Sequence, residues 1–314
     1  MRNVLKNPYA MVIGVALVVV VLYPLLPSSY YVRVAALAFI NALAVLGLNV
    51  LMGFAGQVSL GHAGFFGIGA YAVAVGPAHL GTPSWAALPA GVVSAALIAF
   101  FVGRPILKLK GYYLAVATMG MGILFAMVVS NEANLTGGPN GMRVSRLILF
   151  GWSASGPPTW YWISGITLVI GAWIAVNLIE SPTGRAFRAI HDSETAAHVL
   201  GVDAARYKLL AFVLSAVYAS IAGSYFALFD GFVTPETTSF LRSIEFVVMA
   251  VLGGLGSILG SIVGATILVV LPQALTVFHD YEHIVLGALI IVFLIFLPAG
   301  IVPSLRSLLQ TRAS

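Results

Sequence analysis

Side chains able to do chemistry are few in this sequence, and they gather in three places. The longest charged stretch is Glu180 to Lys208, ESPTGRAFRAIHDSETAAHVLGVDAARYK, which carries Arg185, Arg188, Asp192 and Glu194. Charges at that density belong at a surface. They either hold topology as a basic loop, or decorate short stiff helices on which a soluble partner can push. The second place is GFAGQVSLGHAGFFGIGAY, Gly53 to Tyr71, where Gln57, Ser59 and His62 stand among glycines inside apolar sequence. Amide, hydroxyl and imidazole groups there suit a translocation path. The bland reading of His62 is a hydrogen bond between helices, and one histidine with no nearby carboxylate is poor support for a proton relay. The third is Glu245, at the start of an apolar run and three residues after Arg242. It reads as a carboxylate near the outer interface that snorkels or pairs with Arg242 rather than binding an ion.

The elements that must position these groups follow from caps and hydropathy. Ser181 and Pro182 start a short helix, Asp192 or Ser193 caps a second, and Gly201 stops it after Val199 and Leu200. The glycines from Gly56 to Gly69 permit a broken or re-entrant helix start, which the membrane tolerates where protein or water satisfies the backbone. Gly253 to Gly256 breaks a second run, and Gly256, Gly260 and Gly264 continue as a close-packing seam. Asn41 and Asn49 lie near one helix face and are expected to bond between helices.

With 60% hydrophobic and 8% charged residues, the chain of 314 residues is a polytopic membrane protein. Apolar runs fall at about 11–27, 32–52, 60–78, 85–103, 112–130, 160–179, 207–229, 244–259, 260–278 and 284–302. The expected fold class is therefore all-α, with about ten transmembrane helices in a single membrane domain, 1–314, that includes the loop 180–208. The first run reads as a retained span, since Tyr23, Pro24 and Pro27 leave no small-residue cleavage site. Of the 15 Lys and Arg residues, Arg2, Lys6, Arg104, Lys108, Lys110, Arg185, Arg188, Arg206, Lys208, Arg306 and Arg312 share the side of the N-terminus. Arg33, Arg143, Arg146 and Arg242 face the other side, with Glu132, Asp230, Glu236, Asp280 and Glu282. That bias puts both termini in the cytoplasm. Cations placed between spans set orientation, so no nucleic-acid partner is implied.

There is no G-x-x-x-x-G-K-[ST] phosphate loop, so the energy of any pumping must come from another chain. No G-x-S-x-G elbow or H-E-x-x-H motif occurs, and the six histidines are scattered, with His79, His279 and His283 outside. The sequence asks for no cofactor and no metal, and it disfavours an intramembrane enzyme. A solute path lined by amides, hydroxyls and backbone would suit an uncharged or zwitterionic small molecule. A channel or facilitator working without ATPases stays open, but leaves the charged loop unexplained.

Four passages then carry a resemblance: GQVSLGHAGFFGIGAYAVA (56–74), LTGGPNG (135–141), SPTGRAFRAIHDSETAAHVLGVDAARYKLLAFVLSA (181–216) and SIEFVVMAVLGGLGSILGSIVGA (243–265). In order and spacing the chain resembles the LivM-type permease subunits of bacterial branched-chain amino-acid ABC importers. Ala196, Ala197 and Gly201 resemble the core of the loop by which such permeases dock their ATPases, with Thr195 where that motif opens on Glu. The resemblance implies a second, LivH-type permease subunit, two cytoplasmic ATPase subunits and a periplasmic solute-binding protein, around a chain set in lipid of the inner membrane. It implies docking by Arg185, Arg188, Asp192, Glu194, Ala197 and Gly201, and a path or gate at Gln57, Ser59, His62 and Glu245. It implies branched-chain or other hydrophobic amino acids as the solute, with urea, short amides or small organic acids as the alternative.

Overall fold

The computed structural model of the chain describes residues 8–149, 151–275 and 282–311. Expectations that concern Arg2, Lys6, His279, Asp280 and Arg312 lie outside those residues. The bundle opens with α1 (Pro8–Leu25) and α2 (Ser29–Asn49), which runs on into a π-helical turn, Val50–Phe54. After an irregular stretch come α3 (His62–His79), α4 (Ser84–Ile106), α5 (Tyr112–Asn131) and a single turn, α6 (Ala133–Thr136). Three short strands follow, β1 (Met142–Arg143), β2 (Leu147–Leu149) and β3 (Trp152–Ala154), then α7 (Pro157–Glu180). The charged loop forms α8 (Pro182–Asp192) and α9 (Glu194–Val199), leading to α10 (Ala204–Asp230) and β4 (Phe232–Val233). The chain closes with α11 (Phe240–Gly253), α12 (Ile258–Leu275), α13 (Glu282–Phe296) and α14 (Ile301–Thr311).

Among the described residues each of the ten apolar runs overlaps a helix, although 244–259 crosses the break between α11 and α12 and 284–302 crosses the one between α13 and α14. Six of these helical stretches are long and apolar enough to cross a membrane: Ser29–Phe54, α4, α5, α7, α10 and α12. The chain is thus a mostly helical, multi-pass membrane protein. The all-α expectation needs one small correction, since the loop between α6 and α7 carries strands. Trp152–Ala154 returns on Leu147–Leu149, and Met142–Arg143 pairs antiparallel with Phe232–Val233. Backbone groups in that loop find partners in ribbons because no helix there is long enough to satisfy them.

The centre of the bundle is α2. Its residues are apolar on all sides, and from Val34 to Leu51 all but Leu37 are buried, as expected of a helix enclosed by others. Around it stand α7, α10, α11 and α12. Helices in lipid gain little from hydrophobic burial and associate through close packing and hydrogen bonds. The α3–α10 seam shows this. A Cβ on Gly69 would lie 1.9 Å from the Ser220 carbonyl oxygen, and one on Gly223 would lie 1.8 Å from that of Phe66. The backbones touch, and Ser224 Oγ donates to the Gly69 carbonyl at 3.0 Å. The outward faces of α1, α4, α5 and α7 present Ile13, Leu97, Leu124 and Ile170, each at least half exposed. Such a surface suits lipid or another apolar helix rather than water.

The segment after α10 departs from expectation. At the outer ends of α2 and α10, Arg33 pairs with Asp230 at 2.6 Å and sits over the Phe229 ring. From Gly231 the chain turns inward instead of staying in a surface loop. A Cβ on Gly67 would meet Thr238 Cγ2 at 1.9 Å, and the backbone N–H of Ala63 donates to Ser243 Oγ at 3.0 Å. Gly67 lies twelve residues before the end of α3, about 18 Å along that helix. The 14-residue α11 therefore starts deep in the bundle and is only about 21 Å long. Arg242 accordingly reaches Asn41, eight residues and about 12 Å further along α2 than the Arg33–Asp230 pair, instead of lying beside that pair at the end of the bundle. Hydropathy reports that a segment is apolar, not the depth at which it begins.

At its other end α11 meets α2. Gly254 and Gly256 take φ of +119° and +73°, which turns the chain into α12. Asn49, at the end of α2, clasps that turn. Its Nδ2 donates to Ser261 Oγ at 2.7 Å, to the Ser257 carbonyl at 2.9 Å and to that of Gly254 at 3.3 Å. Its Oδ1 accepts from the Gly256 N–H at 2.9 Å. The two glycine-broken regions, far apart in sequence, are thus docked on each other.

Candidate functional site

The charged loop is built as two capped helices. Ser181 Oγ accepts from the N–H of Thr183 at 3.1 Å, with Pro182 at the first helical position, and Ser193 Oγ accepts from Ala196 N–H at 3.3 Å. Ser193, not Asp192, is therefore the second cap. On α8 the inner face is Gly184, Ala186, Phe187 and Ile190, with Phe187 fully buried and edge-on to Tyr207. Arg185, Arg188 and Asp192 point outward.

Two of the expected docking residues face inward. Ala197 is buried with Ile190 and Ala204. Glu194 accepts from Lys208 Nζ at 2.7 Å and stands 3.8 Å from Lys110 Nζ. The Lys208 side chain is 5% exposed, so its charge needs that partner. Glu194 thus ties α9 to α10 and to the turn between α4 and α5. Gly201, with φ of +82°, reverses the chain after α9. Ahead of it Val199 and Leu200 are 82% and 78% exposed. Their spacing in the sequence marks them as helical positions ahead of the Gly201 stop and assigns them no face. The structure turns them out because α9 is six residues long and its inner contact is already made by Ala197.

This protrusion touches the broken stretch after α2. A Cβ on Gly56 would lie 3.2 Å from His191 Cα at the end of α8. A small pocket of ≈ 120 Å³ opens between them, lined by Gly56, Gln57, Lys110, Glu194 and Lys208 among others. Gln57 is buried; its Nε2 donates to the Ala55 carbonyl at 3.1 Å, and its Oε1 has no hydrogen-bond partner among the described residues. Ser59 is also buried, and its hydroxyl is unpartnered. Tyr71 and Ser220 hydroxyls share this condition among the described residues, so it is not peculiar to the Gln57–Ser59 stretch. His62 differs. Its Nε2 lies 3.1 Å from the Ala44 carbonyl and its Nδ1 3.3 Å from Ser215 Oγ, with Phe246 edge-on. It is the strut between α2, α3 and α10.

Near the middle of the bundle, Arg242 Nη1 donates to Glu245 Oε2 and Nη2 to Asn41 Oδ1, both at 2.6 Å. The guanidinium lies over the rings of Phe246, Phe66 and Phe226, at 4.8, 5.6 and 5.8 Å from their centroids. Sequence reading anticipated the pair with Glu245, since the residues are a helical turn apart. Phe246 lies one turn further along α11 itself, whereas Asn41, Phe66 and Phe226 come from other helices and leave no local signal.

A helical bundle with a capped, charged protrusion and broken helices at its centre is the layout of a permease. A family model described as branched-chain amino acid transport system / permease component matches residues 30–294. The chain belongs to this family. The permease is 35% identical to the high-affinity branched-chain amino acid transport system permease protein LivM of Salmonella typhimurium, covering 95% of this chain and 76% of that one. It is 27% identical to LivH of Escherichia coli, over 83% of this chain and 90% of that one. A shorter match, 36% identical, joins 38% of the permease to 35% of the autoinducer 2 import system permease protein LsrC of Klebsiella pneumoniae. No solved structure matches the chain.

Proposed function

We propose that this permease is one half of a membrane pair in an ATP-driven importer of branched-chain amino acids. Its partners are a LivH-type permease, two cytoplasmic ATPases and a periplasmic solute-binding protein, and about ten helical segments of the chain take part in the membrane fold. The observation that carries the reading is the α8–α9 protrusion. It is rigidly tied back through Phe187, Ala197 and Glu194, while Arg185, Arg188, Asp192, Val199 and Leu200 are left at its surface. Exposed aliphatics flanked by arginines suit the groove of a soluble partner.

In this reading ATP binding closes the ATPase dimer, and the protrusion moves with it. His191 against Gly56 then passes the displacement to the segment carrying Gln57 and Ser59, whose unpaired groups belong to a gate that rearranges. His62 serves that gate as a fixed pivot, and Glu245 lines the path. Orientation by the positive-inside rule places the protrusion and both termini on the cytoplasmic side of the inner membrane. The test is to reconstitute the permease with the four kinds of partner and measure ATP hydrolysis stimulated by leucine, urea or a small carboxylic acid. Stimulation by leucine supports the reading; stimulation by another solute alone replaces the substrate. Transport with no ATPase bound would replace the importer by a facilitator. The likeness to LsrC, an autoinducer 2 import system permease protein, is the reason to include other solutes.

A further inference from the structure

We propose that Arg242 and Glu245 form a zwitterion-reading contact in the solute path, the guanidinium taking the α-carboxylate and Glu245 the α-ammonium of an amino acid. The inference rests on the proposed transport function and says which groups of this chain the solute meets. Depth is the first support. Arg242 bonds to Asn41, eight residues further along α2 than Arg33, which marks the outer end of the bundle through its pair with Asp230. Eight helical residues are about 12 Å. Ionised side chains at such depth are costly and are kept where they face a cavity or a partner.

The placement of Arg242 is the second support. It stands in the first turns of α11, where the helix dipole disfavours a cation, so it is not there to stabilise the helix end. Asn41 and the three phenylalanine rings hold it instead, and this fixes the plane of the fork. Two of its five N–H groups are used in the contacts described, which leaves donors for a bidentate carboxylate. The third support is Glu245. Its side chain is 54% exposed, and among the described residues only its Oε2 is engaged. A fixed cation and an open carboxylate in contact reproduce, in mirror image of charge, the adjacent ammonium and carboxylate of an α-amino acid. A hydrophobic side chain alone would need neither.

The test uses the assembled importer in proteoliposomes with saturating leucine-loaded binding protein, so that delivery does not limit the rate. Leucine uptake and ATP hydrolysis are measured together for wild type, Glu245→Gln, Arg242→Lys and the paired Arg242→Met/Glu245→Gln, which keeps the bulk of the helix packing. Loss of one charged contact lowers leucine uptake about tenfold or more in Glu245→Gln and in the paired variant. ATP hydrolysis stays within about twofold of wild type, so leucine moved per ATP falls by about fivefold or more. Arg242→Lys retains part of the uptake, since charge is kept and the fork is lost. Wild-type coupling in Glu245→Gln overturns the proposal. So does a parallel fall of uptake, hydrolysis and complex yield in all three variants, which is the signature of a structural ion pair. A wild-type complex that hydrolyses ATP but moves no leucine overturns the substrate reading beneath it, and is told apart because no variant is then needed.

Discussion

Asn49→Leu removes the clasp between the two broken helices while nearly keeping side-chain volume. The two Nδ2 N–H groups of the asparagine are shared among three oxygens of the turn between α11 and α12, and its Oδ1 accepts from the Gly256 N–H. Hydrogen bonds between helices in a bilayer contribute about 0.6 kcal/mol each on average, so the three shorter ones amount to about 2 kcal/mol. The substitution also takes the Asn49 acceptor from the Gly256 N–H, a residue that is itself exposed, at a cost of about 1 kcal/mol. Better apolar packing of leucine offsets part of this. The expected loss is about 2–3 kcal/mol, measured by steric trapping or denaturant unfolding of the purified permease in bilayer discs. Ser94→Ala serves as the control, because Ser94 Oγ bonds only to Gly91 of its own helix, and is expected to change stability by no more than about 0.5 kcal/mol. An Asn49→Leu permease as stable as that control would refute the clasp between α2 and the α11–α12 turn.

Other outcomes follow from the same packing. Gly223→Val drives a side chain into the Phe66 backbone and is expected to destabilise by about 1–3 kcal/mol or abolish assembly, read as yield of folded protein after detergent extraction. Glu194→Ala strands the buried charge of Lys208; about 1–3 kcal/mol is lost, and Glu194→Ala/Lys208→Met recovers most of it in the same unfolding assay. Ser193→Ala removes the cap of α9 at a cost of about 1 kcal/mol to the loop, detected as faster amide exchange at Ala196 with the membrane helices unchanged. These stability effects separate residues that hold the protrusion from those that present it.

How much of this was legible in sequence differs by element. Ser181, Pro182 and Gly201 marked the α8–α9 loop because caps are local chemistry. The apolar runs located every long helix for the same reason. Glu194 could not be assigned to the inside from its type: its partners Lys110 and Lys208 lie across two other turns of the fold. Val199 and Leu200 were legible as helical positions, but spacing does not say which way a six-residue helix turns them. Arg242 and Glu245 read as a pair since they are three residues apart, but their depth depends on where Thr238 and Ser243 pack along α3. The role of Asn49 was open for a similar reason. An amide in a span announces a hydrogen bond, yet its partners stand more than two hundred residues away.

The central claim is that the α8–α9 protrusion is the surface an ATPase grips. The measurement closest to it is co-purification of tagged permease and LivH-type partner with the ATPases, comparing wild type with Arg188→Glu/Leu200→Asp. Both positions are exposed, and among the described residues neither side chain makes a hydrogen bond or ion pair, so the permease pair is expected to assemble normally. The account predicts that wild type retains the ATPases and that the double variant loses them by tenfold or more, about 1.4 kcal/mol or more of association energy. ATPases retained undiminished by the variant, or never retained by the wild-type pair, would contradict it.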